Sequence, residues 1–146
     1  MKSIGEALEM FAPWKPPTQF FVGRDPLFAG LHDIEDTDDG RSYRTIAHAC
    51  YPWNISGPAS RRQATIVLPT SADLDVVVVV HELGHILDWA TGFSCDVEPV
   101  TRYGQTNREE AFAEAVTASL LQDYAPWSHP EPRLKNLLVE LGVGTP

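Results

Sequence analysis

The segment that most constrains the fold follows Asp75, where five consecutive valines lead directly into the motif His81-Glu82-Leu83-Gly84-His85. A run of valines favours a strand by propensity. On a helix, however, two histidines four residues apart lie one turn from each other on one face, which the chemistry of this motif requires. Drawn as a helix, the segment carries an unbroken apolar face opposite the histidines, made up of Val76, Val79, Val80, Leu83, Ile86, Leu87 and Ala90. We therefore expect a helix over residues 71–91 that buries this face, with a capping box from Thr70 to Asp73 and a stop at Gly92.

Around this segment, the sequence predicts strands first and helices afterwards. The strand-like segments are 19–22, 43–51 and 64–68, and the other helical segments are 3–11, 107–123 and 133–141. This order is typical of an α+β domain with a short sheet. The 146 residues have the length of a single domain,. We divide it into an N-terminal helix with a proline-rich arm (1–17), a part made mainly of strands (18–69) and a part made mainly of helices (70–146).

Composition and charge exclude several classes of protein. A formal net charge of −9 would repel the phosphates of nucleic acid,. The N-terminal segment carries Glu6 and Glu9 where a signal peptide needs an apolar run, and no apolar stretch has the length of a membrane span,. We expect no nucleic-acid or membrane partner and a cytoplasmic location, with export by a route without a cleavable signal as the alternative. The oligomeric state stays open. Cys50 and Cys95 are expected to be two buried thiols, with a disulfide between them as the alternative.

The motif from His81 to His85 has the form H-E-x-x-H, which on a helix is typical of a zinc site. Both imidazoles can reach one zinc ion at about 2.0–2.1 Å. Glu82 lies about 100° around the helix from His81, beside the metal and not under it. Its carboxylate is therefore placed to take a proton from water, which is the role of a general base. Asp88, on the same face as the histidines, is expected to support the site without binding the metal.

A catalytic zinc usually has three protein ligands, and the third is expected from the segment Asn107 to Glu114. Three carboxylates compete there. Thr106 and Asn107 are the two candidate caps of this helix. With Thr106 as cap, Glu109 falls at the third helical position, where a capping box explains it without a metal,. We therefore expect Glu110 to be the third ligand and Glu114 to orient a histidine from behind.

Two blocks of sequence resemble the catalytic domain of anthrax lethal factor and its relatives, which include the secreted Pro-Pro endopeptidases. The first is Val80-His-Glu-Leu-Gly-His-Ile-Leu-Asp88, and the second is Tyr103-Gly-Gln-Thr-Asn-Arg-Glu-Glu-Ala-Phe-Ala-Glu-Ala115. Together they cover under a quarter of the chain, and no match is seen before Pro69. The resemblance implies a zincin fold of the gluzincin type and a zinc metalloendopeptidase. Its ligands would be His81, His85 and Glu110, and its base would be Glu82.

The resemblance also implies a role for Tyr103 that the residues alone do not show: its phenol would stabilise the oxyanion formed during peptide hydrolysis. Lethal-factor relatives cut near prolines, so a proline-directed specificity is a further expectation that rests on family analogy alone. The substrate would be a peptide or a protein. We expect the strand 64–68 to offer a free edge along which such a peptide is aligned by β-augmentation.

Two other functions remain open. One is a cytoplasmic regulatory metallopeptidase of the kind that cleaves repressors in phage and stress circuits, although Arg108 departs from the second motif of those proteins. The other is a zinc-binding module without turnover, although such a module has no need of Glu82 beside the metal.

Overall fold

A computed structural model describes residues 2–22, 48–50, 64–68, 75–126 and 131–144 of the chain. The chain divides into two compact units. One joins Met1–Pro16 to Asp75–Pro146, and the other is Pro17–Leu74. The described secondary structure combines helices with a short sheet, which confirms the predicted α+β class.

The unit Pro17–Leu74 contains a three-stranded sheet. Its strands are β1 (Thr18–Val22), β2 (His48–Cys50) and β3 (Ala64–Leu68), in the spatial order β1-β3-β2. β1 runs parallel to β3, and β2 runs antiparallel to it. The bounds of β3 agree with the sequence, and its described side chains are buried, as expected for a central strand,.

The position of β3 makes the predicted β-augmentation wrong. Thr65 and Ile66 pair with β1 on one side and with β2 on the other. Both edges of the strand are therefore occupied by neighbouring strands over its central residues, which leaves no free edge there to align a peptide. The sequence could not show this, because the strand order depends on pairing between distant segments.

The other unit is helical. It contains α1 (Lys2–Phe11), α2 (Val76–Ala90), α3 (Arg108–Leu120) and α4 (Pro132–Leu141), with a 3₁₀ turn at Tyr103–Gln105 before α3. Its core is apolar, and its largest fully buried side chains are Phe11, Val79, Val80, Leu83, Ile86, Leu87, Phe112, Val116 and Leu134. The described helices include none that is both long and apolar enough to cross a membrane.

The valine-rich segment is helical, as predicted, but α2 begins later than residue 71. Asp75 has extended backbone angles, and its side chain accepts a hydrogen bond from the Val77 amide, which caps the helix,. The predicted capping box from Thr70 to Asp73 lies in residues that the structure does not describe. At the other end α2 stops at Ala90, and Gly92 follows with a positive φ, as the sequence predicts,.

The start of α3 corrects another detail. Asn107 caps this helix, because its side chain accepts a hydrogen bond from the Glu110 amide. Glu110 therefore occupies the third helical position that had been predicted for Glu109. The capping-box role of Glu109 is wrong, and α3 ends at Leu120, before the predicted residue 123.

A glycine lets α2 approach α3 closely. A Cβ atom added to Gly84 would lie 3.1 Å from the Cα of Ala113 and 3.3 Å from its carbonyl oxygen. Any side chain at position 84 would therefore push the two helices apart. Gly84 lies between His81 and His85, and Ala113 lies between Glu110 and Glu114, so this close contact brings the four polar side chains together.

Candidate metal centre

The three predicted metal ligands converge between α2 and α3. The candidate ligand atoms of His81, His85 and Glu110 all lie within 4.8 Å of one another, so the group could hold a metal ion. One carboxylate oxygen of Glu110 lies 3.0 Å from His81 Nε2, and the other lies 2.8 Å from His85 Nε2. The two imidazole rings stand edge to face, with centroids 4.9 Å apart. Helix α2 thus supplies both nitrogens, and α3 supplies the oxygens.

The hydrogen bonds around His81 show that the centre favours a cation. His81 Nδ1 lies 2.9 Å from the Glu114 carboxylate, which as an anion can only accept, so Nδ1 carries a proton,. In the neutral ring, Nε2 then presents a lone pair towards Glu110, and two acceptors would face each other. A second proton or a metal ion removes that conflict.

The pKa directions agree with this interpretation. Burial lowers the pKa of His81, but hydrogen bonds to Glu110 and Glu114, together with the negative charges of Glu82 and Glu110, outweigh burial and raise that pKa to about 10. Burial raises the pKa of Glu110, yet its two histidine partners hold that pKa well below the ordinary range. Both shifts have the same cause: the ionised carboxylates favour positive charge on the imidazoles, and the imidazoles favour the ionised form of Glu110. Two imidazoles with one carboxylate are also a donor set that binds divalent transition metals.

Glu82 lies beside these ligands and is buried. Burial raises the pKa of its carboxyl group, while the nearby His85 and His81 lower it by a smaller amount. A raised pKa brings a carboxylate closer to the range in which it can both accept and release a proton near neutral pH. The environment of Glu82 therefore suits a general base.

Glu114 is the hydrogen-bonding hub behind His81. Besides His81, its carboxylate accepts a hydrogen bond from Thr101 Oγ1 at 2.8 Å, and the Tyr124 hydroxyl lies 2.8 Å from each of its oxygens. Burial raises the pKa of Glu114, but its hydrogen bonds with His81, Thr101 and Tyr124 outweigh burial and hold that pKa below its ordinary value. The carboxylate is thus kept ionised, and it fixes which nitrogen of His81 faces Glu110.

Tyr103 is an exposed neighbour of His81. It belongs to the 3₁₀ turn, its side chain is 53% exposed, and its ring centroid lies 5.8 Å from that of His81. The phenol is therefore close to the metal ligands and accessible to a molecule that approaches from solvent.

Asp88 pairs with a cation from α3. It is fully buried, and its Oδ2 accepts a hydrogen bond of 2.7 Å from Arg108. Arg108 also contacts the Asp96 carboxylate and donates to the Cys95 carbonyl. Asp88 Oδ1 is the single buried side-chain oxygen of the described residues that lacks a hydrogen-bond partner. Burial raises the pKa of Asp88 even though Arg108 opposes this.

Three residues of these networks were not singled out by the sequence as supports of the site: Thr101, Tyr124 and Arg108. None belongs to the H-E-x-x-H motif, and each reaches its partner through the fold and not through helical spacing. The Cys95 thiol is free and buried, while the side chain of Cys50 lies outside the part that the structure describes.

Comparisons of the chain with protein-family models, with curated proteins and with solved structures find no match. The chemistry of this centre therefore has to be judged from its own donors, their burial and their charges.

Proposed function

We propose that the chain is a zinc-dependent endopeptidase, with a gluzincin-type zincin fold, that hydrolyses peptide bonds in peptides or proteins. The observation that carries the proposal is the convergence of His81, His85 and Glu110 with a buried carboxylate, Glu82, beside them. A site that only stores a metal has no use for that fourth group. Resemblance of the two motif blocks to the lethal-factor family supports the same proposal.

The residues divide the chemistry among themselves. His81, His85 and Glu110 would hold the ion, and zinc, when bound, would polarise a peptide carbonyl and make a water molecule acidic enough to attack it near neutral pH. Glu82 accepts a proton from the attacking water and delivers it to the leaving amine. Such transfers by a positioned side chain contribute roughly 10²- to 10⁴-fold to a rate.

Tyr103 completes the proposed site. Its hydroxyl donates a hydrogen bond to the carbonyl oxygen as negative charge develops there. A donor of this kind contributes about 10²- to 10³-fold. The ring is exposed, and its centroid lies 5.8 Å from that of His81, so a substrate can reach the phenol from solvent. Preference for proline around the cleaved bond is part of the proposal by resemblance alone.

The test is hydrolysis of a peptide library by the zinc-loaded protein, with products identified by mass spectrometry and zinc measured in the same samples. The wild type should cut a defined set of peptides. Glu82→Gln keeps the size of the side chain and should retain zinc while kcat falls by about 10²- to 10⁴-fold.

Two results would contradict the proposal. Equal cleavage by the wild type and by Glu82→Gln would assign the activity to a contaminating protease. A wild type that binds one zinc per chain but cuts nothing would favour a metal-binding module without turnover.

A further inference from the structure

The side chain of Thr101 connects two parts of the proposed site that the sequence keeps separate. Its Oγ1 donates a hydrogen bond of 2.8 Å to Glu114 Oε1 and accepts one of 3.0 Å from the backbone amide of Gly104. The hydroxyl thus uses its one donor and one of its acceptor positions. The Thr101 side chain is half-buried, so these bonds are partly shielded from water.

Each of the two partners leads to a different functional group. Glu114 contacts Nδ1 of His81 at 2.9 Å and so controls how a metal ligand is oriented. Gly104 follows Tyr103 directly and forms the middle of the 3₁₀ turn that carries the phenol. A continuous path of three hydrogen bonds therefore runs from His81 to the backbone of the turn.

Packing fixes the turn in one more place. Gly104 is buried, and a Cβ atom there would meet Ala111 Cα at 3.4 Å and Pro99 Cβ at 3.6 Å. The turn therefore rests against α3 even without the hydroxyl of Thr101. Removal of that hydroxyl should shift or loosen the turn without unfolding the protein.

From this geometry we infer that Thr101 is a positioning residue, which couples the placement of Tyr103 to the orientation of His81 through Glu114. The inference rests on the proposed peptidase function, and it adds how that site keeps its oxyanion donor in register with its metal. A shift of about 1 Å in a catalytic group can lower a rate by about 10²-fold. A single hydroxyl can therefore have a large kinetic effect without touching the substrate.

The experiment compares Thr101→Val with Thr101→Ser, and Tyr124→Phe is the matched control. Valine keeps the shape of threonine but removes both hydrogen bonds, and serine restores the hydroxyl. Phenylalanine at position 124 removes a donor from Glu114 and leaves the bond from the Gly104 amide to Thr101 in place. Each variant is made alone and together with Tyr103→Phe.

Three results are expected. Thr101→Val should lower kcat by about 10- to 100-fold with a smaller change in KM, and Thr101→Ser should recover most of that loss. In the Thr101→Val background, Tyr103→Phe should cause only a small further loss, because the phenol is already misplaced. In the Tyr124→Phe background, Tyr103→Phe should keep its full effect.

A second measurement does not depend on turnover. Hydrogen exchange of the Gly104 amide, followed by NMR, should be faster in Thr101→Val than in the wild type and unchanged in Tyr124→Phe. Addition of zinc alone should slow this exchange in the wild type, because it fixes His81 and with it Glu114, and should have no such effect in Thr101→Val.

The outcomes separate the two proposals. If the kcat losses of Thr101→Val and Tyr103→Phe simply multiply and Gly104 exchange does not change, the coupling through Thr101 is wrong although the peptidase stands. If the wild type cuts no peptide but zinc still slows Gly104 exchange in a Thr101-dependent way, the peptidase function fails and the coupling to the metal ligand stands. If zinc leaves Gly104 exchange unchanged in both proteins, the coupling is overturned.

Discussion

Two polar clusters lie between the same pair of helices, α2 and α3, and they handle buried charge in opposite ways. The Asp88 cluster carries its own cation, because Arg108 pairs with Asp88 and with Asp96. The second cluster is the candidate metal site, which consists of His81, His85, Glu82, Glu110 and Glu114. Among the residues that the structure describes, no lysine or arginine forms an ion pair with any of its three carboxylates.

The difference shows which cluster has its buried negative charge balanced by a cationic side chain among the described residues. A buried carboxylate needs a compensating charge or several hydrogen bonds. Arg108 provides this for Asp88, and its guanidinium also lies 5.8 Å from the ring centroid of Phe93 and 5.9 Å from that of Phe112. Within the described part of the chain, the candidate metal site can gain compensating charge from a proton on His81 or from a bound ion. We therefore expect the first cluster to contribute mainly to stability, and the second to be the proposed metal site.

Replacement of Arg108 by methionine should have the largest effect on stability. It leaves Asp88 buried and without its partner, and loss of one member of a buried ion pair lowers the free energy of unfolding by about 3–5 kcal/mol. Denaturant unfolding measures this change. Arg133→Met is the control, since Arg133 is 72% exposed and lies 3.6 Å from Glu131, and such a pair contributes about 0–1 kcal/mol,. Equal losses in the two variants would contradict the structural role of the Asp88 cluster.

Gly84→Ala tests whether close helix packing brings together the side chains of the candidate metal site. The added methyl group would meet the backbone of Ala113, and overpacking of this kind costs about 1–3 kcal/mol,. Zinc affinity should fall as well, because α2 and α3 move apart.

Gly5→Ala is the matched control for that variant. Gly5 lies inside α1, and an added Cβ has no described atom within 4 Å. The change should stabilise the protein by about 0.5–1 kcal/mol and leave zinc affinity as it is. An unfolding free energy that responds in the same direction at both glycines would show that helix propensity, and not packing, governs position 84.

Glu114→Gln should weaken zinc binding without removing a ligand. The amide no longer attracts the proton on His81 Nδ1 as an anion does, and loss of such a partner lowers metal affinity by about 10- to 100-fold. Competition with a chromophoric chelator measures the affinity. The unfolding free energy of the metal-free protein should change less than in Arg108→Met; a larger change would place Glu114 with the stabilising cluster.

The sequence predicted the parts of this arrangement that depend on local spacing. The bounds of β3, the helical state of the valine run and the placement of His81 and His85 on one helix face follow from short-range patterns. The third ligand from α3 was expected for a different reason, because a catalytic zinc usually has three protein ligands. The start of α2 was misplaced, because Asp75 competes with neighbouring cap residues of similar propensity,. Of the two candidate caps of α3, Thr106 and Asn107, the structure selects Asn107.

The parts that the sequence did not predict depend on contacts between distant segments. Arg108 reaches Asp88 across 20 residues, and Thr101 reaches Glu114 across 13. The pairing of β3 on both edges likewise depends on where β1 and β2 meet it. No periodicity within one helix or strand carries that information.

The most direct test of the proposed zinc site of His81, His85 and Glu110 is the zinc content per chain of three proteins purified side by side. These are the wild type, Glu110→Ala and Glu109→Ala. The two variants lose the same group at adjacent positions, but only Glu110 contacts both histidines. We expect one zinc in the wild type and in Glu109→Ala, and little or none in Glu110→Ala. Absence of zinc from the reconstituted wild type, or equal retention by all three proteins, would show that these residues do not form a zinc site.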